Sequence, residues 1–208
     1  MVWPKPTVKT ANSSYIQMQA TLGIDEVGRG AWAGPVVAAA VIWPDAIASK
    51  LIRDSKQLSP ARRQAASRFI KQHAIAIGIG WVPNTEVDTN GLAWAIKQSG
   101  LRAYTALDLT KPWPQAIQLD GAHNYLLEFG LLAEATVKAD STIVAVSAAS
   151  IIAKVARDNL MQLFDTKYPG YSFGTHKGYG TTLHRQALVK IGVSSMHRLS
   201  VKPVRGCA

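Results

Sequence analysis

Asp25 and Glu26 stand side by side in GIDEVGRGAWAG (23–34), at the end of a short apolar run and just before a glycine, an arginine and another glycine. Two further aspartates repeat the pattern, Asp120 closing AIQLD and Asp140 following EATVKA. Burying a carboxylate is expensive unless a cation or hydrogen-bond donors compensate it. Carboxylates collected from the ends of neighbouring strands, with no cysteine among them, form an oxygen-only ligand set. That set suits Mg²⁺ or Mn²⁺ far better than zinc. Two such ions about 3.5–4 Å apart activate a water and stabilise the oxygen leaving a phosphodiester. Each acid also has a plainer reading: Asp120 in LDG and Asp140 in ADS are ordinary turn or N-cap residues, and Asp25 could pair with Arg29. It is the recurrence of acids at strand ends, in a basic chain, that favours a metal site.

The elements that must position these acids are legible from periodicity. Runs 22–27 and 36–43 predict two strands around a glycine turn, being short, apolar and bounded by Gly or Pro. Alternation over 74–82, with Ile75, Ile77, Ile79 and Trp81 on one side, predicts a third. Ser59-Pro60 opens a helix, and Thr85 with Asp88 resembles a capping box ahead of a helical run towards Leu107. Strands are predicted at 116–119, ending at Asp120-Gly121, and at 134–138, ending at Asp140. A long helix is predicted over 147–164 with Ile151, Ile152, Val155 and Leu163 inward, and a last one over 181–191 closed by Gly192. Consecutive strand residues point to opposite faces, so Asp25 and Glu26 can share a site only where their strand ends. The fold class is α/β, a mixed central sheet flanked by helices. One domain is expected over 1–208, with 165–208 a basic, helical, substrate-binding extension.

The chain has 208 residues, 48% of them hydrophobic, and a formal net charge of +10. Segment 151–208 holds nine Lys/Arg against two acids, a net +7. A phosphate-bearing partner is the natural inference, the plain alternative being basic surface that keeps the protein soluble. Cys207 is the only cysteine, which excludes an internal disulfide or a cysteine zinc site and fits a reducing, cytoplasmic setting. MVWPKPTVKT lacks a signal pattern, and the longest apolar run, 31–43, is broken by Gly34 and Pro35 and too short to span a bilayer. A soluble protein with no membrane partner is expected, and a monomer needs no special feature.

The ordered segments GIDEVGRGAWAGPVVAAAV, DSKQLSP, EVDTNGL, QLDGAHN, VKADSTIVAVSAASIIAKVARD, YPGYSFGTHKGYGTTLH and MHRLSVKPV resemble the bacterial-type ribonuclease HII family. The resemblance implies a ribonuclease H-like fold. It implies an endonuclease that hydrolyses the RNA strand of RNA–DNA hybrids and nicks 5′ to ribonucleotides embedded in duplex DNA. Two metal ions, Mg²⁺ or Mn²⁺, would serve the hydrolysis, leaving 5′-phosphate and 3′-hydroxyl ends. Carried over by position, it makes Asp25, Glu26, Asp120 and Asp140 the metal-binding tetrad. It makes Gly28-Arg29-Gly30 a ribose-sensing turn and Tyr179 the ring beside the ribose-to-deoxyribose junction, with Lys56 near phosphate, and Lys177 of the basic C-terminal cluster is expected to bind substrate as well. Glycine lets backbone approach a 2′-hydroxyl, the group that separates RNA from DNA. Two positions depart from the family pattern, Ala139 in place of glycine and Val201 in place of phenylalanine, and no PCNA-binding box is visible in the tail.

Other residues read more plainly. His123 belongs to a surface turn, Trp94 to packing, and for His184 the functional and packing readings are equal. Lys154, Arg157, Lys167 and Lys177 read singly as solvated, and together as a nucleic-acid track. GRGAWAG is spaced GxGxxxG and leads into a strand, unlike a dinucleotide-binding turn. A non-catalytic basic RNA-binding protein would explain the charge and leave the strand-end acids unexplained.

Overall fold

In the computed structural model, which describes residues 19–48, 51–52, 58–108 and 114–207, strand β1 (Ala20–Val27) runs through the middle of the sheet. It pairs antiparallel with β2 (Val36–Pro44), which pairs antiparallel with β3 (Ala76–Val82). On its other side β1 runs parallel to β4 (Ala116–Asp120), itself parallel to β5 (Glu134–Thr136). The order β3-β2-β1-β4-β5 makes the sheet mixed, as predicted.

Strand β2 shows why the apolar run VVAAAVIW does not alternate with polar residues: it is covered on both faces. Ala39, Val41 and Trp43 pack with Ile70 of α1 (Pro60–His73) and with Ala148 and Ile152 of α5 (Val144–Lys167). Ala38, Ala40 and Ile42 pack with Leu22, Ile24 and with Ala103 of α3 (Leu92–Thr105). The helices lie very close. A Cβ at Gly78 or Gly80 would overlap the carbonyls of Ala103 and Ser99 in α3, and one at Gly23 would overlap the backbone of Ala145 in α5.

Caps behave as their residue types dictate in two places. Ser59 accepts from the Arg62 amide with Pro60 in the first turn of α1, and Thr181 accepts from the His184 amide at the start of α7 (Thr182–Ile191), which Gly192 closes. The expected capping box is not formed. Helix α2 (Asn84–Asn90) starts after Pro83 without a side-chain cap, and Gly91, at φ +85°, separates it from α3. The Asp88 carboxylate is taken instead by the amides of Leu199 (2.8 Å) and Ser200 (2.9 Å) and by the Ser200 hydroxyl. Three donors from the C-terminal segment outcompete one local amide.

Three boundaries also shift. Strand β5 stops at Thr136, and Asp140 lies in the first turn of the short α4 (Ala139–Thr142), entered through Lys138 at φ +62°. Asp140 is therefore at a helix start, not a strand end. Helix α5 extends beyond 147–164 at both ends; Ile151, Ile152 and Val155 are buried, whereas Leu163 is 69% exposed. At about 100° per residue, Leu163 stands about 120° round the helix from Ile151 and off the buried face.

The C-terminal helices α6 (Phe173–His176), α7 and α8 (Lys202–Arg205) form a separate cluster. In it Tyr171, Phe173, Leu188 and Val204 pack on Ala33 and on Met161 of α5. Among the described residues no helix is long and apolar enough to cross a membrane.

Candidate active site

Where β1 ends, the chain opens into a cleft of about 310 Å³. β1 and the turn after it supply Asp25 to Gly30, β4 supplies Asp120, α5 supplies Ser150 and Lys154, and the loop before α7 supplies Tyr179. Asp25 sits opposite Ala39 and Glu26 opposite Ala38. Asp25 thus emerges on the α5 face, where the Ser150 hydroxyl donates to it, and Glu26 on the α3 face. Only the proximity of the strand end brings the two carboxylates to one cleft. Asp120 follows the last β1–β4 pair, Ile24 with Leu119, and so comes alongside Asp25.

Negative charge is crowded here. Burial, then Glu26, then Asp120 push the Asp25 carboxyl well above its usual range. Burial also raises Glu26, against the pull of Arg29, whose Nη1 lies 3.2 Å from Oε1. The other oxygen, Glu26 Oε2, is buried and has no hydrogen-bond partner among the described residues. Nearby, the Tyr125 hydroxyl is buried without a partner among the described residues, and its pKa is raised by burial and then by Glu26, Asp25 and Asp120. An orphaned acceptor among mutually repelling carboxylates fits a cation, and oxygen donors without sulfur fit a hard divalent one. Among the described residues no group of three His, Cys, Asp or Glu side chains is arranged to hold a metal ion.

The fourth predicted acid is tied to the cleft indirectly. Asp120 Oδ1 accepts from the Ala139 amide at 2.9 Å, which docks the start of α4 on the end of β4. Asp140, the next residue, is buried, its carbonyl accepts from the Ser147 hydroxyl, and it is not among the cleft walls. Lys56 lies outside the described residues.

The glycine turn is shaped for close approach. Gly28 adopts φ +94°, and a Cβ there would strike the Arg157 side chain and the Pro35 carbonyl. Among the described residues nothing lies within 4 Å of where a Gly30 Cβ would be, so that stretch of backbone is bare of them. The turn is fastened to the Tyr179 loop: the amides of Trp32 and Ala33 both donate to Gly178 O, at 2.8 and 3.2 Å.

Two arginines complete the fastening, and they correct an expectation. Arg157, expected to be solvated, is fully buried, donating from Nε to Pro35 O (3.0 Å), from Nη2 to Ala33 O (3.1 Å) and from Nη1 to Lys177 O (2.8 Å). Arg198, equally buried, donates to Gly34 O (2.9 Å) and Arg29 O (3.1 Å). Their charges serve backbone carbonyls, and burial lowers both pKa values, Arg198 to about 10. Lys177 has φ +54°, its Nζ donates to Gly174 O at 2.6 Å, and it is not among the cleft walls. Among the described residues two cations do line the cleft, Arg29 beside Glu26 and Lys154, the latter paired with Asp158 at 2.8 Å and 5.7 Å from the Tyr179 ring centroid. Sequence reasoning placed Lys154 only in a diffuse basic track and missed Ser150 and Tyr125. The i, i+4 spacing of Ser150 and Lys154 on one helix face was the available signal. His123 is exposed, as expected, Trp94 packs beside Val36 and Val82, and His184 is buried.

Comparison with known proteins agrees with this architecture. The family described as Ribonuclease HII matches residues 22–204. A ribonuclease HII of Listeria monocytogenes is 45% identical over 183 residues, covering 88% of this chain and 68% of that protein. One from Herpetosiphon aurantiacus is 44% identical, covering 88% of each. Among solved structures, the ribonuclease H2 of Pyrococcus horikoshii superposes with a TM-score of 0.75 at 26% identity, covering 91% of this chain and 97% of that one. The Archaeoglobus fulgidus ribonuclease HII, solved in a complex with PCNA, gives 0.73 at 25% identity, covering 90% and 96%. With a family match that takes in the cleft, both glycine loops and the C-terminal cluster, the chain belongs to the ribonuclease HII family and is a ribonuclease H, a metal-dependent endonuclease.

Proposed function

We propose that the cleft hydrolyses the RNA strand of RNA–DNA hybrids and nicks duplex DNA 5′ to single embedded ribonucleotides, leaving 5′-phosphate and 3′-hydroxyl ends. The observation that carries this reading is the orphaned Glu26 Oε2 within a crowd of buried carboxylates, next to a turn whose backbone is bare at Gly30. Asp25, Glu26 and Asp120 of the cleft walls, with Asp140 tied to them through the Asp120–Ala139 hydrogen bond, would hold Mg²⁺ or Mn²⁺, two ions of which would supply an activated water and charge stabilisation at the leaving oxygen.

The chain's own residues do the rest. The backbone of Gly28-Arg29-Gly30 meets the 2′-hydroxyl, which a side chain at position 30 would keep at a distance, while Gly28 lets the turn fold against Pro35 and Arg157. Tyr179 lays its ring against the sugar on the far side of the ribonucleotide, where a further 2′-hydroxyl would crowd it. Lys154 faces the phosphate beside the ring, and Lys177 shapes the loop through the carbonyl that Arg157 holds. Ser150 keeps Asp25 oriented by its hydrogen bond.

The test is cleavage of two duplexes, one continuous RNA–DNA hybrid and one DNA duplex with a single ribonucleotide, each with Mg²⁺ and with Mn²⁺. Metal-dependent nicking 5′ to the ribonucleotide with 3′-hydroxyl ends is expected. A protein that cuts the hybrid but leaves the single ribonucleotide intact under both metals would lose the junction part of the reading.

A further inference from the structure

Three buried histidines lie beneath the loop that carries Tyr179. His176, His184 and His197 are all nearly inaccessible to solvent. The rings of His176 and His184 stack at 4.3 Å between centroids, and Phe173 meets each of them edge-on. Trp32 lies against His184 at 5.4 Å and Tyr171 against His197 at 5.0 Å. Two imidazolium ions cannot stack at that distance in such a setting, and burial lowers all three pKa values. The three rings are neutral.

Neutral imidazole carries one hydrogen, so each hydrogen bond to a backbone group fixes which nitrogen bears it. The Tyr179 carbonyl can only accept, and His184 Nδ1 lies 3.0 Å from it, so His184 carries its hydrogen on Nδ1 and its Nε2 is bare. That bare nitrogen lies 3.0 Å from His197 Nε2, which must therefore be the donor. His197 Nδ1 is then bare, in keeping with the Ser194 amide, a donor only, at 2.8 Å, which is the closer contact there than the Ser194 carbonyl at 3.3 Å. The chain of hydrogen bonds runs one way, from the Ser194 amide through His197 and His184 to the Tyr179 carbonyl. His176 is set the same way, accepting from the Gly178 amide at Nδ1 (3.1 Å) and donating from Nε2 to Tyr171 O (2.7 Å). Two consecutive residues of the loop, Gly178 and Tyr179, are thus each held by a histidine of defined tautomer.

We propose that His197 and His184 form a one-way hydrogen-bond relay that holds the Tyr179 carbonyl and so sets where its ring stands over the cleft, making both histidines positioning residues for substrate recognition. The role rests on the reading of Tyr179 as the junction-sensing ring; the tautomers do not. A side chain that merely filled the space would remove one of the two donors to that carbonyl, leaving it to the Thr181 amide alone at 2.8 Å.

Long-range proton–nitrogen NMR of the whole protein near pH 7.5 reads the tautomers directly. His184 should carry its hydrogen on Nδ1 and His176 and His197 on Nε2; a His184 hydrogen on Nε2 overturns the relay, even if no variant folds. His184→Asn keeps a donor close to the position of Nδ1, whereas His184→Leu removes it. Nicking at a single ribonucleotide, relative to cleavage of a continuous hybrid, should fall about tenfold in His184→Leu and return to within about twofold of the unaltered protein in His184→Asn. Equal losses on both substrates, with a lowered melting point that asparagine does not restore, would reduce His184 to packing. Tyr179→Ala separates the two ideas. If it shifts the ratio and His184→Leu does not, the relay alone fails; if Tyr179→Ala leaves the ratio unchanged, junction sensing fails and takes the recognition role of the relay with it.

Discussion

The guanidinium of Arg157 lies 5.3 Å from the ring centroid of Tyr179 while its three nitrogens donate to the carbonyls of Ala33, Pro35 and Lys177. One buried cation thus lies against the aromatic side chain of the second glycine loop and ties that loop to the first. Arginine suits this place because its planar fork serves several acceptors at once and stacks on a ring, which an ammonium cannot do.

Arg157→Lys should therefore behave as a loss. A buried carbonyl left without its donor costs about 1–3 kcal/mol, so the variant should lose at least about 3 kcal/mol of stability by urea unfolding. An unfolding midpoint equal to that of the unaltered protein would show that the fork is dispensable.

Asp25→Asn and Asp120→Asn should each abolish cleavage while preserving the fold. Asn at 25 removes a buried charge that burial, Glu26 and Asp120 all disfavour, so the metal-free variant should melt higher than the unaltered protein. Metal should act in the opposite direction: Mg²⁺ at a hundredfold excess over its dissociation constant stabilises a one-site protein by about 2.7 kcal/mol. Adding Mg²⁺ or chelating it should move the melting point of the unaltered protein and scarcely move that of Asp25→Asn. Calorimetry with and without chelator checks both signs.

Lys154 and Lys177 should part company in salt titrations. Lys154 lines the cleft, whereas the Lys177 amine is bonded to Gly174 O within its own loop. Lys154→Gln should weaken binding to every duplex and reduce the slope of log affinity against log salt by about 1. Lys177→Gln should change that slope less. The reverse order would return phosphate contact to Lys177.

Acid should destabilise the protein partly through its histidines. Burial lowers the pKa of His184 from the ordinary 6.5 to about 4, so the unfolded chain binds a proton that the folded one refuses. The folded-state pKa lies below the unfolded value. The stability at stake is therefore fully present above about pH 6.5 and is lost as pH falls towards about 4. His176 and His197 shift in the same direction. Urea midpoints measured across that window should fall less steeply in His184→Asn than in the unaltered protein; identical slopes would mean that His184 titrates normally in the fold.

Most of the sheet and the helices that flank it were readable from the amino-acid sequence, because their signals are local. Period-two alternation marks β3, Ser59-Pro60 opens α1, Gly192 closes α7, and an acid at the end of an apolar run marks the mouth of a cleft wherever the strand ends. The family resemblance reaches the same acids through the order of short motifs. The tertiary structure alone decided what the charged and polar side chains do once buried. Arg157 meets Pro35 across 122 positions of chain, Arg198 meets Gly34 across 164, and Asp88 leaves its own helix for the amides of residues 199 and 200, more than 110 away. Read along the chain, an arginine is a surface cation and an aspartate near a helix start is a cap, since burying either costs more than any neighbour in sequence can return. Only the closing of two loops on one another gathers enough backbone carbonyls and amides at one point to hold them inside.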